Sequence, residues 1–392
     1  MSQDLSHDKS LQRAKRINAW AIILLFGFLV LVPFVAQISG FGAMKGENRT
    51  LAEFPKIGKL KEIKDLTRKM DAYVNDRFGL RRQLVHLNSL IRYNLGVSST
   101  KDVVIGKDGW LFYTADFLME QHTGVNVFSP TELERWVGTM QSVRDCLAKR
   151  GIPFYIVVAP DKSTMYPEKL PDYPRPPNAT TRFDQVAVRL KQTNIQFVDA
   201  REKLFEAKAR GVPIYHEGDT HWTKQGALIA YGMLMEKAKE KFPELAPLTM
   251  NDFRVGPPQH MTSDLVRLLA LDDTLDYKVE TLERKTPSHQ TAPPVIGMRE
   301  GWGWRLVESH NDLVDKPRLL VFGDSFTDYV LGPTFLYETF HDPVLTHHNG
   351  GALNFNLVEE FKPDLVVMEM ADRYLHVTPL KPIGFDEVCA GG

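Results

Sequence analysis

Ser325 follows Gly323 and Asp324 at the end of the apolar run RLLVFG. A serine at the carboxyl end of a buried strand, on a turn that opens a helix, lies at the sheet edge, and its own backbone N–H can help hold an oxyanion. Serines at strand–helix junctions also cap helices and do no chemistry. A second segment bears on the choice. In HEGDTHWTKQGA, Asp219 and His221 stand two apart, ahead of a helix that starts near Thr223. A serine hydroxyl needs a base to take its proton, histidine titrates in the right range, and a carboxylate can fix the imidazole tautomer. Singly, Asp219 reads as a cap and His221 as a ring packed on Trp222. Together, a strand-end serine and a loop-end Asp-x-His favour a Ser-His-Asp triad of Ser325, His221 and Asp219. A metal pair is the other reading, but two ligands without an evident third argue against it, so neither metal nor cofactor is expected.

The elements that must position these residues alternate. IPFYIVVAP (152–160) is a near-continuous apolar run of the kind buried on both faces of a parallel sheet. Further strands are expected at 195–200, 318–323, 342–348 and 364–370, with helices to Arg210, over 223–240 and over 351–361. This alternation predicts an α/β fold, a parallel sheet flanked by helices. VVIGKDGWLFY reads as two short strands around Gly106-Lys107-Asp108-Gly109. Ser129-Pro130-Thr131-Glu132 carries the signals of a capped helix start. Residues 242–316 break the rhythm, being mostly irregular and polar, and read as an insertion that serves as a lid or acceptor-binding region. The proline-rich loop at 167–177 follows a strand's carboxyl end, where α/β sites usually lie.

Composition narrows the class. With 48 basic and 49 acidic side chains, the net charge is −1, so nucleic-acid binding driven by bulk charge is not expected. Cys146 and Cys389 are too few for a disulfide scaffold and suit no zinc motif; a single bridge between them would need an oxidising compartment. From Ala19 to Ala36 the chain is apolar and uncharged, long enough as a helix to span a bilayer. Lys9, Arg13, Lys15 and Arg16 precede it, so the positive-inside bias keeps the N-terminus in the cytoplasm and exports the chain beyond the apolar stretch. The expected organisation is a cytoplasmic segment (1–18), a transmembrane signal anchor (19–38), a helical lead-in (39–100) and a catalytic domain (101–392). That places the protein in an inner membrane with its catalytic region in the periplasm.

Asp219-Thr220-His221-Trp222, Gly323-Asp324-Ser325-Phe326 and Gly106-Lys107-Asp108-Gly109-Trp110-Leu111-Phe112 together resemble the AlgJ/AlgX family of polysaccharide O-acetyltransferases. The order, with Asp-x-His ahead of the serine, is similar to that family's rearranged SGNH-hydrolase fold. The resemblance covers about residues 75–375, and the anchor and total length look more like AlgJ than AlgX. It implies transfer of acetyl groups onto hydroxyls of an exported polysaccharide, alginate being the first guess, through an acetyl-Ser325 intermediate. A membrane-bound O-acyltransferase and other secretion components are the implied partners. A periplasmic acetylesterase uses the same triad, and a non-catalytic scaffold is the third reading. The family's usual oxyanion blocks are not recognisable, which leaves the Ser325 N–H and Asn349 as candidates; Asn349-Gly350-Gly351 reads equally as a turn. Tyr329, four residues past Ser325, either donates a hydrogen bond or packs in the core. Lys162, in the loop after IPFYIVVAP, either binds a uronate carboxylate or is solvated. Arg373 is expected to pair with Glu369.

Overall fold

The computed structural model describes residues 2–39, 52–55, 65–171, 173, 175–298, 305–348, 353–377 and 381–390. They fall into two compact units, Met1–Leu95 and Gly96–Gly392. In the first, helix α1 (Ser2–Ser39) contains a stretch, Lys15–Ala36, long and apolar enough to cross a membrane. Its large side chains are open all round, Leu24 and Phe26 each 68% exposed, an arrangement that suits lipid and not water. Helices α2 (Leu66–Arg77) and α3 (Arg81–Asn94) follow, and α2 buries none of its residues.

The second unit is built on one seven-stranded sheet. Its strands are β1 (Phe154–Ala159), β2 (Gln196–Asp199), β3 (Gln290–Met298), β4 (Arg305–Asn311), β5 (Arg318–Gly323), β6 (His341–His347) and β7 (Leu365–Ala371), in spatial order β2-β1-β7-β5-β6-β4-β3. The first five in that order run parallel. Strands alternate their side chains between two faces, and both faces are covered, which is why β1 reads as an unbroken apolar run and β7 as one interrupted by Glu369 alone. Tyr155, Val157 and Ala159 enter one core with helix α7 (Lys224–Ala238). Phe154, Ile156 and Val158 enter the other, with α4 (Pro130–Lys149) and α5 (Arg182–Leu190). Helix α6 (Arg201–Ala209) follows β2. Ser129 caps α4 with a reciprocal bond to Glu132, as expected from the sequence.

The reading of 242–316 as mostly irregular needs correction. β3 and β4 come from it and extend the sheet, each antiparallel to its neighbour. They escaped the pattern because β3 is an edge strand: it contains Pro293 and Pro294, and its Val295 and Ile296 are exposed. Shorter pairs, 253–255 with 282–284 and 259–261 with 277–279, and the helical turn Asp264–Leu268 also lie in this stretch. Cys146, on α4, and Cys389, on the closing helix Phe385–Ala390, form a disulfide with Cα atoms 5.3 Å apart.

Candidate active site

The carboxyl end of β5 delivers Ser325. Gly323 ends the strand, Asp324 turns the chain, and the helical segment that Ser325 begins widens into a π-helix over Thr327–Leu331, a distortion often found at functional sites. A Cβ on Gly323 would lie 2.5 Å from Thr327 Oγ1, so only glycine lets the helix start this close to the strand. Asp324 staples the turn: Oδ1 accepts from the Phe326 N–H at 2.8 Å and Oδ2 from the Ala371 N–H at 2.7 Å. Beneath it lies Glu369, whose Oε2 accepts from the Asp324 N–H at 3.2 Å and from Thr327 Oγ1 at 2.7 Å. Burial, and then the neighbouring Asp324 carboxylate, pushes Glu369 well above the ordinary carboxyl range. Ser325 itself is half-buried, and its backbone N–H makes no hydrogen bond among the described residues.

His221 comes from a loop whose ends are tied by the antiparallel bridge between Tyr215 and Trp222. His221 Nε2 stands 2.7 Å from Ser325 Oγ, and Nδ1 stands 2.7 Å from Asp219 Oδ1. Phe326 packs against the imidazole at 4.9 Å between centroids and Tyr329 meets it edge-on at 5.0 Å. Burial works to raise Asp219, yet the hydrogen bond and charge of His221, with the N–H groups of Asp264 and His221, outweigh it and hold Asp219 well below the usual carboxylate range. An ionised Asp219 accepts from Nδ1–H, which leaves the Nε2 lone pair facing the serine.

Asp264 is the residue that sequence reasoning passed over. Its N–H donates to Asp219 Oδ2 at 2.8 Å, its Oδ1 accepts from the Thr220 N–H at 2.9 Å, and its Oδ2 stands 3.9 Å from His221 Nδ1. It supplies the third ligand that the local sequence lacks for a metal set, one ligand atom each from Asp219, His221 and Asp264 lying within 4.8 Å of one another. Seating a cation there would require breaking the Asp219–His221 hydrogen bond. No motif marks Asp264; a Ser-Asp before a helical turn is common.

Lys162 takes neither of the two expected roles. It is buried, and Nζ donates to three backbone carbonyls, those of Asp219 (2.7 Å), His216 (3.0 Å) and Glu217 (3.1 Å). An ammonium has three N–H groups and all three are used, so none is left for a uronate. Phe112 and Trp110, from the Gly106–Phe112 motif, cover it at 5.2 and 5.7 Å. Burial pushes Lys162 down to about 7 against the pull of the Asp219, Asp264 and Glu217 carboxylates. Arg373 is also buried, and its partner is Asp161 (3.3 Å), not Glu369, whose Oε2 is engaged with Thr327 and the Asp324 N–H. Tyr329 is 64% exposed at the mouth and is not a core residue. Asn349, with Gly350 and Gly351, lies outside the described residues. A cavity of about 270 Å³ lined by Trp110, Tyr166, Tyr215, His216 and Tyr277 sits behind the 216–217 segment, and neither Ser325, His221 nor Asp219 lines it.

The model of the family described as "ALGX: SGNH hydrolase-like domain, acetyltransferase AlgX" matches residues 103–361. The chain belongs to this family. A probable alginate O-acetylase AlgJ of Pseudomonas aeruginosa is 26% identical over 276 residues, which cover 70% of this chain and 66% of that protein. A second probable alginate O-acetylase AlgJ, of Pseudomonas syringae pv. tomato, is 24% identical over 329 residues, covering 79% and 78%. The chain thus spans about two thirds of the first of these relatives. Among solved structures, Bacillus cereus PatB1 with a sulfonyl adduct matches with TM-score 0.52 and 13% identity over 71% of this chain and 98% of PatB1, a likeness of fold. The O-acetyltransferase domain of Pseudomonas putida AlgJ matches with TM-score 0.49 and 19% identity over 74% and 99%.

Proposed function

We propose that this ALGX-family chain moves acetyl groups onto hydroxyls of an exported polysaccharide, with Ser325 as nucleophile, His221 as general base and Asp219 as its orienter. The observation that carries the reading is the unbroken relay from Ser325 Oγ through both imidazole nitrogens to Asp219, 2.7 Å at each step. In the first half-reaction His221 Nε2 takes the Oγ proton as Oγ attacks the acetyl carbonyl carbon. The carbonyl oxygen becomes an oxyanion, for which the Ser325 N–H, unbonded among the described residues, is the candidate donor. As the intermediate collapses, the leaving group departs with the proton from Nε2, and an acetyl-Ser325 ester remains. In the second half-reaction a sugar hydroxyl gives its proton to Nε2 and attacks the ester, and the proton then returns to Oγ. The two relatives named as alginate O-acetylases make a uronate polymer the first acceptor to offer.

The exported location is part of the proposal. It is supported by the apolar Lys15–Ala36 stretch and by the Cys146–Cys389 disulfide, a bond that persists in oxidising compartments. Acetyl groups activated in the cytoplasm must then be passed across the membrane, the task of a membrane-bound O-acyltransferase partner.

The test incubates full-length protein in detergent with a chromogenic acetyl ester, with and without a short oligouronate, beside Ser325→Ala. Mass spectrometry then looks for acetylated sugar. Acetyl gain on the oligosaccharide that falls by about a thousandfold or more in Ser325→Ala is the expected result. Serine-dependent acetate release without sugar acetylation would make the protein an esterase. Equal acetylation by wild type and Ser325→Ala would refute the assignment.

A further inference from the structure

Three residues outside the relay form a second charged cluster beside the nucleophile. Asp328 follows Ser325 by three positions on the same helical segment, and its side chain is only 4% exposed. Its Oδ2 accepts from Arg305 Nη1 at 2.9 Å and from His347 Nε2 at 2.6 Å. Arg305 opens β4, and His347 closes β6, where it pairs in register with Gly323 of β5. One buried carboxylate therefore holds two basic side chains at the carboxyl edge of the sheet, one strand-step and one helical turn from Ser325. Both basic groups stay open to solvent, Arg305 at 35% and His347 at 37%.

The balance of charge and donors points outward. Asp328 cancels one positive charge, so the cluster carries a net +1 when His347 is protonated and none when it is neutral. The guanidinium keeps donors beyond the one given to Asp328, and a protonated imidazole has Nδ1–H to offer. The hydrogen bond to Asp328 raises His347 from the ordinary histidine value against its partial burial; Asp328 and Asp324 add to the rise, and Arg305 opposes it. The neighbouring His348 stands 3.9 Å from Asp324.

We propose that Arg305 and His347, anchored by Asp328, are the subsite that receives a carboxylate of an acidic glycan acceptor beside the acyl-transfer centre. The proposal rests on the reading of Ser325 as that centre. A planar guanidinium matches a carboxylate in two parallel hydrogen bonds, which fixes the orientation of the sugar as well as its sign of charge. Asp328 relieves the repulsion between the two cations while the site is empty, and it keeps both aimed. This cluster supplies the anion recognition that Lys162, sequestered under its three carbonyls, cannot. As pH rises through the raised His347 value the net charge falls from +1 to zero, so acceptor affinity declines on the alkaline side.

The test uses full-length protein in detergent and three probes: a short oligouronate, its carboxyl-reduced counterpart, and free acetate, the small carboxylate that hydrolysis of an acetyl ester releases. Calorimetry measures each against wild type, Arg305→Gln and His347→Gln. Wild type is expected to bind the oligouronate about tenfold or more tightly than the reduced form. That preference falls toward unity in Arg305→Gln, and its decline as pH rises above the ordinary histidine range disappears in His347→Gln. A preference is a ratio within one protein, so partial unfolding of a variant does not imitate its loss. Equal binding of both oligosaccharides by wild type, an unchanged preference in Arg305→Gln, or acetate competing as well as the oligouronate would overturn the proposal. Serine-dependent ester turnover in the same preparations reads the acyl-transfer centre separately, and its absence would leave the binding result to decide the subsite.

Discussion

Replacing Lys162 by methionine separates a lysine that supports the active-site loop from one that meets substrate. The three carbonyls it serves are not equivalent. That of Glu217 keeps a second donor, the Leu111 N–H at 2.9 Å. That of His216 is part-buried and can take water. The Asp219 carbonyl is buried and would lose its donor, and one orphaned buried carbonyl costs about 1–3 kcal/mol. Methionine retains most of the lysine stem, and its sulfur sits well beside aromatic rings, so little packing against Trp110 and Phe112 is lost. Freeing the site of a desolvated ammonium works in the opposite direction. The orphaned carbonyl decides the sign, and a net loss toward the lower end of that range, about 1 kcal/mol, is expected. The damage falls on the backbone of Asp219, and so on the His221 ring it orients. Misplacement of that ring should lower kcat for a chromogenic acetyl ester by about 10- to 100-fold. Urea midpoints at constant slope give the stability change, and ester kinetics give the second number. A Lys162→Met protein with wild-type midpoint and ester turnover, impaired only toward an oligouronate, would refute the burial argument and return Lys162 to the substrate.

The geometry sets two further outcomes. Cys389→Ala opens a bridge between residues 243 apart in sequence and should cost about 2–4 kcal/mol; guanidinium melts of the wild type should respond to reductant and those of the variant should not. Asp219 is held below the ordinary aspartate value of 3.8, so the stability it contributes is complete above about pH 4 and is lost as pH falls through the folded value. An Asp219→Asn protein should therefore show a flatter loss of stability below about pH 4 than wild type in acid-unfolding curves, and an identical acid limb would count against the ionised Asp219–His221 pair.

The parts of the fold that were legible are those where burial on both faces forces an unbroken apolar run. β1 and β5 declare themselves that way, β7 does so but for Glu369, and the strand-end position of Ser325 follows from β5. The Asp-x-His spacing was legible because both residues lie in one short loop. The hidden parts depend on distant chain or on an edge. β3 has prolines and an exposed face, so its residues look like irregular chain. Asp264 matters only because its segment returns to the 219–221 turn, and nothing local to it records that. Lys162 illustrates a different limit: a lysine after a strand reads as a surface charge, and only the closure of Trp110 and Phe112 over it turns it inward. Arg373 pairs with Asp161, 212 residues away, and Glu369 lies under the Asp324 turn, a choice of partners that nothing local to either residue records.

Asp219 depends on a backbone group 45 residues downstream, and His221 meets Ser325 across 104 residues of chain. Contacts of that span form only after their loops have closed, which makes them late events in folding. β1 and β7 pair across a longer span still, Phe154 with Val366, so by the same argument only the helices can precede the joining of Ser325, His221 and Asp219. Ester turnover is then expected to return together with the sheet and after the helices, so it reports the closing of the long-range contacts.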